Sequence, residues 1–207
     1  MAAPGGTPAR AVLWDLGRTL VDWDPRRLYA KLLPDDDAVE AFLRGVCTLD
    51  WHQAHDAGTP MAENQAALKA RFPEHADLIE AWRTRWDEMF DGWIEGMEAI
   101  VTELEARGVP QYGLTNLPAE KWPHIAETYP AIARFRDVVV SGVEGVVKPD
   151  PAIYAITTAR LDHAPGETVF FDDSSANVIA AREAGFQGEV FEGAHAVRER
   201  LQRASLL

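Results

Sequence analysis

The chain has 207 residues, 47% of them hydrophobic and 26% charged, which suits one α/β domain carrying an insertion or two small globular domains. A formal net charge of −13 repels nucleic-acid phosphates and argues against a nucleic-acid partner, and no apolar run is long enough to cross a bilayer. Cys47 is the only cysteine, so no disulfide can form within the chain, and residues 1–10 are typical of a flexible tail and not of a secretory signal; both observations favour the cytoplasm.

Five short apolar runs are predicted to be strands covered on both faces, at 11–16, 111–114, 137–140, 168–171 and 189–191. Helical patterns alternate with the last four runs. One ends at Gly108, one opens with Asp150 followed by Pro151, and one begins at Ser174 or Ser175 and closes at Gly185. This alternation predicts an α/β fold, a Rossmann-like parallel sheet of about five strands with helices on both faces.

The stretch from 23 to 93 differs from the rest because it contains helical patterns and no convincing strand. We predict that it forms a helical cap inserted after the first strand and packed over the sheet, while residues 11–22 and 94–207 form the α/β core. Five of the seven tryptophans lie in this stretch, and their large indole rings are expected to fill the interior of the cap.

Polar residues suited to catalysis or binding stand where the predicted strands end. They are Asp15 after the first strand, Thr115 and Asn116 after the second, Lys148 before the helix at 150, and Asp172 and Asp173 after the fourth. In an open parallel sheet, ligands bind beyond the carboxyl ends of the strands. These side chains are therefore expected to share one site.

The same residues resemble the four motifs of the haloacid dehalogenase superfamily, in that family's order. The resemblance rests on an apolar strand ending in Asp15 with Thr19 four residues later, a strand-terminal Thr115-Asn116, Lys148-Pro149 before a helix, and the pair Asp172-Asp173. The insertion after the first motif matches the small helical cap of subfamily I. The resemblance implies a hydrolase that depends on Mg²⁺ and uses Asp15 as a covalent nucleophile on a phosphate ester.

The resemblance also implies a magnesium site. Its ligands would be the carboxylates of Asp15 and Asp173 and the backbone carbonyl of Gly17, while Asp172 would stand behind them and orient water. Which member of the acidic pair binds Mg²⁺ directly stays open. A cation is expected on chemical grounds, since a carboxylate nucleophile and a phosphate repel each other and Mg²⁺ favours oxygen ligands.

The phosphate itself is expected to contact three groups, namely Thr115, the Asn116 backbone N–H and Lys148. Lys148 would also offset the repulsion among the clustered carboxylates. Thr19 is expected to fix the turn after Asp15. Asn177 has two equally good interpretations: it supports the acidic pair, or it lies on the helix surface.

Gly17 departs from the usual phosphatase pattern, in which this position is a second Asp that provides general acid–base catalysis, worth about 10²–10⁴-fold. One interpretation is a leaving group that needs little protonation, such as a sugar 1-phosphate; the chain resembles the bacterial α-D-glucose-1-phosphate phosphatase group, which shares Asp-Leu-Gly in this motif. Another is that Asp22, Asp24, His52 or His55 substitutes, although two such histidines are more typical of a solvated helix face. The third is a catalytically weak protein that binds a phosphorylated ligand or a protein partner.

A rival activity within the superfamily is 2-haloacid dehalogenation, in which the Asp attacks carbon without a metal. Those enzymes also lack the second Asp. They commonly have Ser where this chain has Asp172 and Asp173, so the retained acidic pair favours a phosphatase. We therefore predict hydrolysis of a small phosphorylated metabolite, with a sugar phosphate favoured.

Overall fold

The computed structural model describes residues 7–207, so positions 1–6 of the predicted tail lie outside the described residues. The strands are β1 Ala11–Trp14, β2 Val21–Trp23, β3 Phe90–Trp93, β4 Gln111–Thr115, β5 Val138–Val140, β6 Thr168–Asp172 and β7 Gln187–Val190. Five of them form a parallel sheet in the order β5-β4-β1-β6-β7. The predicted parallel sheet is confirmed.

The helices of the described chain alternate with these strands. They are α1 Arg26–Tyr29, α2 Asp36–Gly45, α3 Leu49–Asp56, α4 Met61–Arg71, α5 Ala76–Thr84, α6 Met97–Ala106, α7 Trp122–Thr128, α8 Pro130–Ala133, α9 Ser141–Glu144, α10 Pro151–Arg160, α11 Ser175–Glu183 and α12 Ala194–Arg203. The predicted start of α10 is confirmed, because the Asp150 side chain accepts a hydrogen bond from the Ala152 N–H. Within residues 7–207, every helix is too short or too polar to cross a membrane.

The two faces of the sheet pack against different helices. Along β1, Val12 and Trp14 point into one hydrophobic core with α6 and α12, whereas Ala11 and Leu13 point into another with α10 and α11. This is the alternation that a strand imposes on successive side chains. All four side chains are fully buried. Helices therefore cover both faces, as predicted.

The interval from 23 to 93 contains a strand, so the prediction that it has none is wrong. β3 pairs antiparallel with β2, and the Ile94 N–H extends the pairing to the Leu20 carbonyl at 2.9 Å. The sequence of β3, Phe-Asp-Gly-Trp, includes Asp and Gly, which are depleted in strands, so local preference gave little indication of it. The predicted boundary at 93/94 falls at the end of β3, whereas the one at 22/23 falls inside β2, one residue before its end. The division into core and cap stays a prediction.

Helices α1 to α5 surround a cluster of aromatic rings. Trp82 of α5 is fully buried, and the rings of Trp23, Tyr29, Trp51 and Trp86 lie with centroids 5.5 to 6.5 Å from its own. Such large rings bury much apolar area in a small volume. Four of the five indoles of the insertion thus pack together in its interior, as expected, whereas Trp93 packs edge-on against Tyr129, outside the insertion.

The central strand determines where the polar strand ends meet. β1 lies between β4 and β6, with Trp14 in register with Gly113 on one side and Phe171 on the other. Because the three strands are parallel, their carboxyl ends open on the same edge of the sheet. Asp15 follows β1 directly at that edge.

Candidate active site

A cleft of about 350 Å³ lies at this edge, between the sheet and the helices of the insertion. Its wall on the sheet side includes the predicted site residues Asp15, Gly17, Thr115, Asn116, Lys148 and Asp173. Asp172 is fully buried and sits behind that wall. Folding therefore brings all the site residues predicted from the sequence to one place.

Lys148 lies between two buried carboxylates. Its ammonium donates hydrogen bonds to Asp15 Oδ1 at 2.7 Å, to Asp172 Oδ2 at 2.7 Å and to the Leu114 carbonyl at 2.8 Å. These acceptors use all three N–H bonds of the ammonium. To contact a phosphoryl oxygen, as predicted, Lys148 would have to share or give up one of these three hydrogen bonds.

Burial and mutual repulsion control the charges of this cluster. Burial raises the pKa of Asp15, the Lys148 ammonium opposes this rise, and the Asp172 and Asp173 carboxylates add to it. Burial alone would lower the pKa of Lys148, but the carboxylates of Asp15 and Asp172 outweigh it and raise the pKa above its ordinary value. One ammonium among three carboxylates leaves a net negative charge, which a further cation would stabilise.

The two adjacent acids have different surroundings. Asp172 Oδ1 accepts hydrogen bonds from the Ser174 N–H at 2.8 Å and from Asn177 Nδ2 at 3.0 Å, while its Oδ2 binds Lys148. Asp173 is exposed, and no side chain within residues 7–207 donates to it. Of the two interpretations of Asn177, support of the acidic pair is the one that the structure shows.

The acidic residues are close enough to hold one metal ion together. Ligand oxygens of Asp15, Asp172 and Asp173 all lie within 4.8 Å of one another. Asp172 already has partners at both oxygens, whereas Asp173 faces the cleft. This difference favours Asp173 as a direct ligand and Asp172 as the residue behind it, and the assignment stays a prediction.

Two polar residues of the site have contacts that the sequence did not indicate. The Asn116 side chain accepts from the Lys148 N–H at 2.8 Å and donates to the Lys148 carbonyl at 3.1 Å, so it fixes the lysine loop to the end of β4. Thr19 fixes the turn through its N–H, which donates to the Leu16 carbonyl at 3.3 Å. Its hydroxyl also donates to Asp15 Oδ2 at 3.2 Å and so orients the expected nucleophile.

The opposite wall of the cleft is largely apolar. Its apolar side chains are Val21, Trp23, Leu49, Trp86, Phe90 and Ile125. Among these, Trp23 carries the Arg18 guanidinium over its ring at 5.3 Å, which brings a positive charge to the cleft. Polar groups from α3 complete this wall.

The expectation that His52 and His55 form a solvated face is wrong. Both are buried, at 6% and 0% exposure, because α3 packs into the aromatic cluster. His52 stacks on Trp23 with ring centroids 5.7 Å apart and also lines the cleft. Burial lowers the pKa of His52 to about 3, and the neighbouring His55 adds to this, so the ring stays neutral.

The other sequence-based candidates for the missing acid lie outside the cleft. Asp22 Oδ2 pairs with Arg27 at 2.5 Å, and Asp24 Oδ1 accepts from the Arg26 N–H at 2.9 Å. Besides the exposed Asp50, the structure brings a buried acid to the cleft, Asp56. The available signal was its spacing of four residues from His52, which places both on one helix face.

A parallel sheet whose carboxyl edge gathers an isolated Asp, a Lys and an acidic pair is the arrangement predicted from the sequence for a hydrolase with a Rossmann-like α/β fold. The family model of haloacid dehalogenase-like hydrolases matches residues 9–185, and the chain belongs to this family. The predicted superfamily is confirmed. The resemblance to the α-D-glucose-1-phosphate phosphatase group stays a prediction.

Similar proteins of known name or structure span most of the chain. A sesquiterpene phosphatase of Aspergillus oryzae is 28% identical over 88% of this chain and 89% of its own length. The validoxylamine A 7'-phosphate phosphatase of Streptomyces hygroscopicus subsp. limoneus is 24% identical over 85% and 82%. A superfamily enzyme from Bacteroides thetaiotaomicron, solved with magnesium and inorganic phosphate, shares the fold with a TM-score of 0.64 and 21% identity, over 88% of this chain and 93% of that one.

Proposed function

We propose that this protein is a magnesium-dependent phosphatase that hydrolyses a small phosphate ester through an aspartyl-phosphate on Asp15. The observation that carries the proposal is the cluster at the sheet edge, where Asp15, Lys148 and the pair Asp172 and Asp173 surround one end of a cleft. Dehalogenation, in which the Asp attacks carbon without a metal, does not need an acidic pair to bind a cation. The relatives that match this chain over most of their length are named phosphatases.

Mg²⁺ fits the donor set, which consists of carboxylate and carbonyl oxygens around a net negative cluster. Asp15, Asp173 and the Gly17 carbonyl would hold it, and Asp172 would act from behind. When bound, the cation would supply the positive charge that allows a phosphate to approach Asp15.

The chain's own residues account for the remaining steps. A carboxylate oxygen of Asp15 attacks phosphorus and the ester oxygen departs; water then attacks the phosphorus of the aspartyl-phosphate and frees the carboxylate. Thr19 and Lys148 hold the Asp15 carboxylate in place through their hydrogen bonds. Thr115 and the Asn116 N–H, at the end of β4, would hold the phosphoryl oxygens.

The proposed substrate class is a small phosphorylated metabolite of the reducing cytoplasm, with a sugar phosphate favoured. Gly17 provides no acid beside the leaving oxygen, and a sugar 1-phosphate departs as a weakly basic alkoxide. The cleft, at about 350 Å³, is of the size that binds one small ligand. The single cysteine, Cys47, is buried and unpaired, which agrees with a reducing compartment.

An apolar phosphate ester is a second candidate substrate. The wall formed by Trp23, Trp86 and Phe90 offers a surface to a hydrocarbon group as readily as to a sugar ring. The Aspergillus oryzae relative is named as a sesquiterpene phosphatase. Both classes therefore belong in one substrate panel.

The test is phosphate release from sugar phosphates and isoprenoid phosphates, measured with Mg²⁺ and with EDTA. We expect turnover that EDTA abolishes, a loss of at least about 10³-fold in Asp15→Asn, and a higher Mg²⁺ requirement in Asp173→Asn. Full activity in EDTA would refute the metal role, and an active Asp15→Asn would refute the nucleophile.

Two further results would select the alternatives that the sequence left open. Halide release from 2-chloropropionate, without phosphate release from any ester, would identify a dehalogenase. Tight binding of a phosphorylated compound without turnover of any compound in the panel would identify a binding protein.

A further inference from the structure

Asp56, the last residue of α3, carries a carboxylate that the steps above do not use. It is only 8% exposed, it lines the same cleft as Asp15, and its Oδ1 has no hydrogen-bond partner among the described residues. Burying a carboxylate without partners is costly unless the group is protonated or serves a ligand. The position of Asp56 therefore points to a chemical role in the cleft.

The fold holds the end of α3 close to the sheet edge. Gly58, two residues after Asp56, has a φ of +97°, and a Cβ at that position would lie 3.1 Å from the Gly142 carbonyl of α9. Glycine is thus needed both for the backbone conformation and for the close approach. A second contact is the hydrogen bond that the Met61 N–H donates to Glu120 Oε1 at 3.2 Å. Asp56 is fixed between these contacts and the aromatic cluster.

His52 presents a fixed polar group to Asp56. The Trp82 indole N–H, which can only donate, points at His52 Nδ1 at 3.2 Å. The proton of the neutral imidazole is then on Nε2, and this nitrogen lies 3.4 Å from Asp56 Oδ1. His52 thus faces Asp56 as a neutral partner and not as a charge.

Burial and the neighbouring charges bring the pKa of Asp56 close to neutral pH. Burial raises the pKa of Asp56 to about 7, the Lys148 charge opposes the rise, and the Asp15 carboxylate adds to it. The titratable groups that face it are His52 from its own helix and Lys148 and Asp15 from the sheet edge. A group that titrates near the working pH can both give and take a proton efficiently.

We propose that Asp56 is the general acid–base residue of the reaction and fills, from the cap, the role that Gly17 cannot. As Asp15 attacks phosphorus and the P–O ester bond breaks, the Asp56 carboxyl gives its proton to the ester oxygen and the alcohol leaves neutral. The resulting carboxylate then accepts a proton from the water whose oxygen attacks the aspartyl-phosphate. That step releases phosphate, frees Asp15 and returns Asp56 to its acid form.

This inference rests on the proposed phosphatase function and widens its substrate range. With an acid in the cap, the leaving group no longer has to be a weakly basic alkoxide. Ordinary alkyl esters, whose alcohols leave poorly without protonation, become competent substrates. The dependence of rate on the leaving group is therefore the property to measure.

The experiment compares Asp56→Asn with the wild-type protein on an alkyl phosphate and on p-nitrophenyl phosphate, whose leaving group needs little protonation. We expect kcat/KM for the alkyl ester to fall about 10²–10⁴-fold and that for the nitrophenyl ester to fall less than about tenfold. Asp77→Asn, an exposed carboxylate on α5, is the matched control and should change neither.

A rescue variant provides a second test of the role of Asp56. A Cβ at Gly17 would meet no atom of residues 7–207 within 4 Å, so these residues leave room for Gly17→Asp. We expect that adding it to Asp56→Asn restores alkyl ester turnover at least about tenfold. Recovery would show that a proton donor, and not the shape of the cap, had been lost.

The outcomes separate the two proposals. Unchanged kinetics in Asp56→Asn, or equal losses on both esters, would overturn the role of Asp56 while leaving the phosphatase intact. No turnover of either ester by the wild-type protein would overturn both. If Asp56→Asn does not fold, the wild-type pH profile decides: kcat/KM should fall above pH about 7 for the alkyl ester only, because Asp56 then loses its proton, and coincident profiles would refute the role.

Discussion

At the level of single residues, the sequence identified the groups at strand ends and missed those that act through burial. Asp15 and the acidic pair could be predicted because they stand at the ends of apolar runs, and Lys148 because it precedes Pro149 at the start of a predicted helix. Asp56 could not, and His52 was only one of four possible substitutes for the missing acid, since their segment has the pattern of a polar helix and only the tertiary packing against Trp82 and Trp86 buries it. Burial changes the chemistry of both side chains, as their shifted pKa values show.

We predict that the buried Asp56 carboxylate lowers the free energy of unfolding at neutral pH, as a cost of its proposed catalytic role. Its pKa rises from 3.8 to about 7 on folding, so the unfolded chain releases the proton more easily. Below pH about 4 both states are protonated and Asp56 has no cost; between pH about 4 and about 7 the folded state loses stability relative to the unfolded one. Asp56→Asn should therefore gain on the order of 2 kcal/mol at pH 8 and almost nothing at pH 4.

Urea denaturation at the two pH values measures this difference. Asp77→Asn serves again as the control and should stay within about 0.5 kcal/mol of the wild-type protein at both. A loss of stability in Asp56→Asn at pH 8 would mean that the carboxylate is a structural group with partners in the folded state, contrary to its unpaired Oδ1.

At the level of secondary structure, the strong patterns were reliable and the short irregular ones were not. The buried runs of β1, β4, β5 and β6 are nearly continuous in apolar residues, which makes them recognisable without a structure. The β7 strand, with the sequence Gln-Gly-Glu-Val, is more polar, and it begins two residues before the predicted run at 189–191. The β2–β3 ribbon was not predicted because neither strand is a continuous apolar run: β2 is Val-Asp-Trp, and β3 contains Asp and Gly. Its pairing depends on contacts between residues about seventy positions apart, which local sequence does not encode.

Helix α9 is a short element whose glycine has a specific structural purpose. A Cβ on Gly142 would lie 2.4 Å from the Ala119 nitrogen and 2.7 Å from the Leu117 carbonyl oxygen, both backbone atoms of the segment that follows Asn116. We expect Gly142→Ala to displace this segment, to reduce the free energy of unfolding by about 1–3 kcal/mol and to lower kcat/KM. Urea denaturation and steady-state kinetics measure the two effects.

Gly45→Ala is the matched control. A Cβ there meets no atom within 4 Å in the described part of the chain, and the residue ends helix α2 at an exposed position. Its stability should be unchanged or improved by up to about 1 kcal/mol. If Gly142→Ala proved as stable and as active as Gly45→Ala, the close packing of α9 against 117–119 would not matter.

At the level of the whole molecule, the chain builds a reaction site from two parts that contribute different chemistry. The sheet edge provides the proposed nucleophile, the lysine and the proposed cation ligands. The β2–β3 ribbon, Trp86 and α3 provide most of the apolar wall, and α3 also provides the buried acid. Strand alternation and motif order were sufficient to predict the first part. The second depends on how α3 packs over the sheet, and the spacing of residues along the chain contains no such information.

The most direct test of the central claim is to look for a phosphoryl group on Asp15 itself. The wild-type protein is mixed with a turned-over phosphate ester and Mg²⁺, quenched in acid within one turnover, and analysed by peptide mass spectrometry. We predict the mass gain of one phosphoryl group on the peptide that contains Asp15, and no such gain in Asp15→Asn or when EDTA replaces Mg²⁺. A protein that releases phosphate while Asp15 never carries a phosphoryl group would contradict the proposed mechanism.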